Sequence, residues 1–388
     1  MKKRNLLIAF AAAAVIVTGV FIFYMRSDHN DEKTADTYGY FDSIWCTGKG
    51  AFSFENGYVD YYSPTSGKKV LICNKSGCDH SDGCPAAFDA SVVTGITFNE
   101  QGLLYLSDEG CSRFDEKILY QADVDGTNRR KLHTFSSLQM ISNVRYFGKY
   151  MFICYRCLLD EEGHDLDEPE AGIIVYDLEN HKDRILFKEC KINADIENCF
   201  LYQDKVYFSY LYSDLDRNEV LKHAEDEAYM QEHYISEVCS IPLNGGKKKR
   251  LIDGISYMAY LPVINGKIIY STKDAVIAYD LEKEEKKKLI KEACDVIPVY
   301  PENERVILRP GNRENVDGKK TYYDLNVKKM SFQEVQCGNF VILAVVDDIV
   351  YYMDREGNYG YCTKKNFLKG KATEFHGFED VIQRQLGK

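Results

Sequence analysis

Several things that an enzyme or a nucleic-acid binder needs are scarce or missing in this chain. No Gly-x-Ser-x-Gly elbow, no Walker phosphate loop and no Gly-x-Gly-x-x-Gly fingerprint occurs. The eight histidines show no pairing of a hydrolase type. Clustered positive charge is also missing. The formal net charge is −11, which excludes a phosphate-tracking surface and with it nucleic acid as a partner. The runs Lys247-Lys248-Lys249-Arg250 and Lys286-Lys287-Lys288 follow turns and sit beside acids, so they read as solvated hairpin ends. Tryptophan occurs once, at Trp45, and proline eight times. Helical periodicity is almost absent beyond Tyr38. The thirteen cysteines are odd in number, so a complete disulfide framework is excluded.

The one long apolar run is at the N-terminus. "MKKRN" precedes Leu6 to Met25, which carries no charge, and Arg26 and an acidic stretch follow. Twenty helical residues at about 1.5 Å each cross the roughly 30 Å hydrocarbon layer. No small-x-small cleavage site follows, and the run exceeds a signal-peptide core. The expectation is a signal-anchor helix over 6–25, preceded by a cytoplasmic N-terminus at 1–5. The three leading basic residues keep that end inside and send the rest of the chain out of the cell. Residues 26–38 read as a flexible, polar tether.

What remains, 39–388, is rich in Tyr (29) and Phe (20) and is broken by Gly, Asn and Asp into short apolar runs, an all-β composition. A repeat runs through it. Tyr-Asp-Leu recurs at 176–178, 279–281 and 323–325, with looser copies at 122–124, 241–243 and 361–363. Upstream strands recur as "GLLYLSD", "KYMFICY", "DKVYFSY", "GKIIYST", "ERVILRP" and "DIVYYMD", and "GYVDYYSPTSGKKVLIC" at 57–73 is a shorter copy. Tyr38 to Lys388 allows about 50 residues for each of seven blades of a β-propeller, with six as the alternative. The expected blades are 39–90, 91–138, 139–192, 193–254, 255–293, 294–335 and 336–388. Tyr and Phe would fill the wedges between them.

One loop concentrates ligand chemistry. Cys73-x4-Cys78-x-His80-x3-Cys84 offers three thiols and an imidazole, a set suited to a closed tetrahedral zinc site. Two other readings stay open. Outside the membrane disulfides form, and the odd cysteine of the three would pair with Cys46 or Cys111. Unlinked thiols are the third. In each case the expected role is local, fixing a loop with no core of its own.

Other candidates read as structure. Cys154-x2-Cys157 has redox spacing, but in a strand residues three apart face opposite ways. The acidic stretch 160–170 around His164 lacks the alternating ligands of a calcium loop and reads as a solvated loop. Asp123-Val124-Asp125-Gly126 reads as a hairpin turn. Residues 214–234 break the strand pattern, and Val220, Leu221, Ala224, Ala228 and Tyr229 predict one short amphipathic helix inserted in blade four as a contact element. His223 and His233 stand too far apart to share one helix face with Glu227 and Glu232.

"KILYQADVDGTNRRKL", 117–132, with its Asp125-Gly126-Thr127-Asn128 turn, resembles the repeat of YWTD (low-density-lipoprotein-receptor-like) propellers and of TolB-like propellers. "SIPLNGGKKKRLI", 240–252, is a looser copy, and the Tyr-Trp-Thr-Asp signature itself is absent. The whole layout is similar to membrane-anchored β-propeller proteins of Gram-positive bacteria. In that group a Cys-x4-Cys-x-His stretch followed by Cys closes the first blade, and Cys73, Cys78, His80 and Cys84 fit it. The resemblance implies a fold and an address, and no activity.

The functional expectation is a non-enzymatic binding or scaffold module at the cell surface. Its partners would be the cell membrane, through 6–25, and an extracellular protein, peptide or glycan. The alternative is a glycan- or peptide-acting lyase or hydrolase with its site at the channel mouth. No catalytic residue is assigned, and structural zinc is the single cofactor candidate.

Overall fold

The computed structural model describes residues 40–381 apart from 42–43, 82, 100–101, 114–115, 137, 161, 256–259, 298, 301–303, 312–319 and 372–375. The expected membrane span, 6–25, and tether, 26–38, lie outside the described residues. Among the described residues no helix is long and apolar enough to cross a membrane.

Seven sheets, antiparallel but for one added parallel strand in the first and one in the last, follow one another along the chain. Blade one holds Ile44–Cys46, Ala51–Glu55, Tyr58–Ser63 and Lys68–Leu71, with Tyr40–Phe41 added on one edge. Blade two runs from Val93–Asn99 to Arg130–Phe135, blade three from Met140–Phe147 to Lys182–Cys190, and blade four from Asp195–Tyr202 to Lys249–Asp253. Blade five spans Val263–Ile264 to Glu285–Ile290, and blade six Cys294–Ile297 to Ser331–Cys337. Blade seven has Val341–Val346, Ile349–Met353 and Tyr359–Thr363, and borrows Val299–Tyr300 as a parallel strand. The fold is a seven-bladed β-propeller. Blade one has strands of its own, which removes the six-bladed alternative.

The sequence pattern follows from the packing. The second strand of each blade is covered on both faces by its neighbours, so it reads as an unbroken apolar run. All six residues of Gly102–Ser107 are buried. The fourth strand lies at the outside and faces water. Glu285–Ile290 is exposed along its first four residues, and Ser331–Cys337 likewise. Lysine on such an edge discourages pairing with another chain. The basic runs expected at hairpin ends therefore extend into these outer strands, with Lys249 and Arg250 in blade four and Lys286 to Lys288 in blade five.

Aromatic side chains fill the wedges. Seven of the largest fully buried side chains are tyrosines: Tyr155, Tyr176, Tyr210, Tyr270, Tyr322, Tyr351 and Tyr352. A buried phenol needs a partner, and several reach a neighbouring strand or blade. Tyr322 donates to the Phe340 carbonyl at 2.9 Å, and Tyr351 to the Thr47 carbonyl at 2.8 Å, which joins blade seven to blade one.

The ring is finished by the end of the chain. The Tyr361 amide donates to the His376 carbonyl, and the Glu379 and Val381 amides donate to the Gly67 and Lys69 carbonyls. Glu379–Asp380 pairs parallel with Lys68 and Lys69 on the outer edge of blade one. Phe378 stacks on Tyr361 at 4.8 Å and meets the edge of Tyr62 at 5.3 Å. Residues 376–381 thus lie across the seam between the last blade and the first. They were expected to belong to blade seven alone.

Candidate metal centre and the blade-four insert

The Cys73–Cys84 loop leaves the last strand of blade one. Gly77 and Gly83 hold positive φ, and so does His80, at +55°. The left-handed bend at His80 is braced by the Tyr58 hydroxyl, which donates to the His80 carbonyl at 2.9 Å. The Ser81 amide and hydroxyl both donate to Asp79 Oδ1. The base of the loop returns to blade one: the Val59 amide donates to the Ala86 carbonyl, and the Phe88 amide to that of Gly57.

This backbone brings Cys73, Cys78, His80 and Cys84 together. Their ligand atoms all lie within 4.8 Å of one another, and His80 Nδ1 is 3.4 Å from Cys84 Sγ. A tetrahedral zinc ion with Zn–S near 2.3 Å and Zn–N near 2.0 Å spaces its ligands by roughly 3.5–3.8 Å. The four donors fit such an ion. His80 and Cys84 are 7% and 4% exposed, while Cys73 and Cys78 are half-buried. Burial pushes the Cys84 thiol up to about 12. The His80 amide holds the Cys78 thiol below its usual range, with help from the neighbouring Cys73 and Cys84. A cation at the centre would favour all three thiolates at once.

None of the thirteen cysteines, all of them described, is disulfide-bonded. Cys46, one expected partner for the odd thiol, is fully buried in a different core cluster from Cys84. Cys111, the other, lies outside the group of four and approaches the Ser107 carbonyl.

Sequence reasoning missed what blade two does here. Its 123–129 turn presses on the loop. Gly126, at φ +79°, sits so close that a Cβ there would lie 2.0 Å from the Pro85 carbonyl oxygen. Arg129 donates to the Pro85 and Ala87 carbonyls at 2.6 and 2.7 Å, and its guanidinium lies 3.8 Å from the centre of the Phe88 ring. Asn74 hydrogen-bonds the Asp125 carboxylate. The Asp-Gly-Thr-Asn turn was legible as a repeat turn; its contact 44 residues back along the chain was not.

The insert in blade four differs from expectation. Two helices form, Arg217–Lys222 and Glu227–Glu232, because Asp216 and Asp226 each accept the backbone N–H three residues on and start a helix anew. The first helix buries no residue, and Leu221 is 66% exposed. Tyr229 is sandwiched by His223 at 4.0 Å and His233 at 4.6 Å, and His233 Nδ1 is 2.9 Å from Asp214 Oδ1. Arg217 pairs with Asp167 of blade three. Leu221, His223, Ala224 and Asp226 line an open groove at the bend.

The remaining candidates are structural. Cys154 and Cys157 face opposite sides of their strand, in separate clusters, and Cys154 hydrogen-bonds Cys199 across to blade four. The 160–170 stretch is shorter as a loop than expected, since Asp165 already pairs with Leu159. Asp160, Glu162 and His164 converge, but Asp160 Oδ1 caps the Glu162 and His164 amides and His164 is exposed. The strongly displaced titrations belong to wedge residues such as Tyr351 and Cys46, raised by burial.

No protein-family model matches the chain, and no curated protein matches it. Solved structures do. The tricorn protease aligns over 86% of this chain and 33% of its own, at 10% identity and TM-score 0.51. The β-propeller domain of the trilobed protease from Pyrococcus furiosus aligns over 84% and 94%, at 11% identity and TM-score 0.49. TolB from Acinetobacter baumannii aligns over 77% and 63%, at 11% identity and TM-score 0.36. These are likenesses of fold.

Proposed function

We propose that the chain is a non-enzymatic binding module, a TolB-like propeller held at the cell surface by residues 6–25 with its N-terminus in the cytoplasm. The observation that carries this is the blade-four insert. Two capped helices stand out from the ring, braced by the Tyr229 sandwich and by Arg217, and bury almost nothing of their own. An exposed Leu221 amid Asp214, Asp216, Glu219, Glu225 and Asp226 suits an extracellular protein or peptide segment with basic and apolar side chains. The Cys73–Cys84 loop supports a structural zinc ion, because its four protein donors leave no open position for substrate.

Binding is tested with the full-length chain in detergent against basic and acidic peptides and cell-wall glycan fragments. The reading predicts salt-sensitive capture of a basic peptide. The Leu221→Ser, Glu225→Lys double variant is expected to weaken it about tenfold or more with an unchanged melting temperature. Equal binding by the variant contradicts the reading, and turnover of a glycan or peptide favours the lyase or hydrolase alternative. Protease added to intact cells should remove the propeller and spare an N-terminal tag; a protected propeller contradicts the address.

A further inference from the structure

The zinc loop does more than fix itself. We infer that the ion at Cys73, Cys78, His80 and Cys84 latches blade one to blade two; this rests on the zinc reading above. The residues that follow Lys68–Leu71, the last strand of blade one's own segment, form the loop and lead on to blade two. Their far end, Cys84 to Phe88, is what blade two holds. Arg129 grips the Pro85 and Ala87 carbonyls and covers Phe88, Gly126 closes on Pro85, and Asp125 takes Asn74. Cys84 is both a ligand and a member of the core cluster shared by the two blades, with Ala86, Phe88, Ile96, Leu103 and Trp45.

The chemistry follows from that double membership. Binding releases the thiol protons, forms four coordinate bonds and moves no electron. Without the ion the Gly77 and Gly83 bends have no cross-link, and a loop closed by so few hydrogen bonds opens locally at small cost. Opening withdraws Pro85 and Ala87 from Arg129 and uncovers the Phe88 ring. The seam between the first two blades then loosens, while blades four and five keep their own walls.

The chain's single tryptophan, Trp45, lies 5% exposed in this seam and reports it directly. The test takes the full-length chain in detergent, measures zinc per chain by elemental analysis, and follows Trp45 emission and hydrogen exchange before and after a chelator. One zinc per chain is expected. Its removal should red-shift Trp45 and speed exchange about tenfold or more in 57–88 and in Gly102–Ser107, with Lys205–Ser213 unchanged. Arg129→Gln, which leaves all four ligands in place, should keep the zinc and still loosen 84–88 and Gly102–Ser107. A chain without zinc overturns the site and the latch together. One full equivalent of zinc, with exchange rising in 72–84 alone and no effect of Arg129→Gln, leaves the zinc reading standing and overturns the latch.

Discussion

At the scale of single residues, the charged groups that matter are few and buried at seams. Asp60 is 4% exposed in blade one, and burial raises its carboxyl to about 6 even though Lys69 Nζ, 3.0 Å away, pulls the other way. The folded chain therefore holds this proton more tightly than the unfolded chain, whose value is near 4. Stability from this group falls as pH rises from about 4 to about 6 and is flat above. Denaturant titrations across that window should show Asp60→Asn gaining on the wild type as pH rises. A constant difference between the two contradicts the assignment. The four-donor cluster of Cys73, Cys78, His80 and Cys84 was legible from sequence because all four lie within one loop. Arg129 and Asn74 were not, since nothing in their local pattern shows that two distant turns meet.

At the scale of elements, strands were the easier reading and the insert the harder one. Apolar runs such as Tyr150–Leu159 mark a strand whatever its neighbours do, because both faces are covered. In 214–234 the stripe of Val220, Leu221 and Ala224 predicted one helix. Two aspartate caps split the segment into two helices instead, the first of which buries no residue. The last element was misassigned for a related reason. "HGFED" carries no strand signal of its own, and its Glu379–Asp380 end acquires a partner only when the ring brings blade one alongside. Phe378 is its anchor, wedged between Tyr361 and Tyr62. Phe378→Ala should cost about 1–3 kcal/mol in denaturant unfolding, the value of a half-buried aromatic and its ring contacts. An unchanged midpoint would show that the segment contributes nothing to closure.

At the scale of the whole molecule, the account is one of faces that cannot be left bare. Each four-stranded sheet is apolar on both sides, so it is stable only between two others, and a closed ring is the arrangement that leaves none uncovered. That is why the repeat announced both the architecture and the count of seven. Where the ring closes was not announced, because closure depends on a contact between the two ends of the chain. Blade seven reaches blade one through Tyr351 and Thr47, and residues 376–381 lie along both. The most direct test is native hydrogen exchange of the Glu379 and Val381 amides in the full-length chain. A closed ring predicts protection there that persists until the neighbouring strand Lys68–Leu71 also opens. Exchange of both amides at the rate of an unstructured peptide, with that strand still protected, would contradict it.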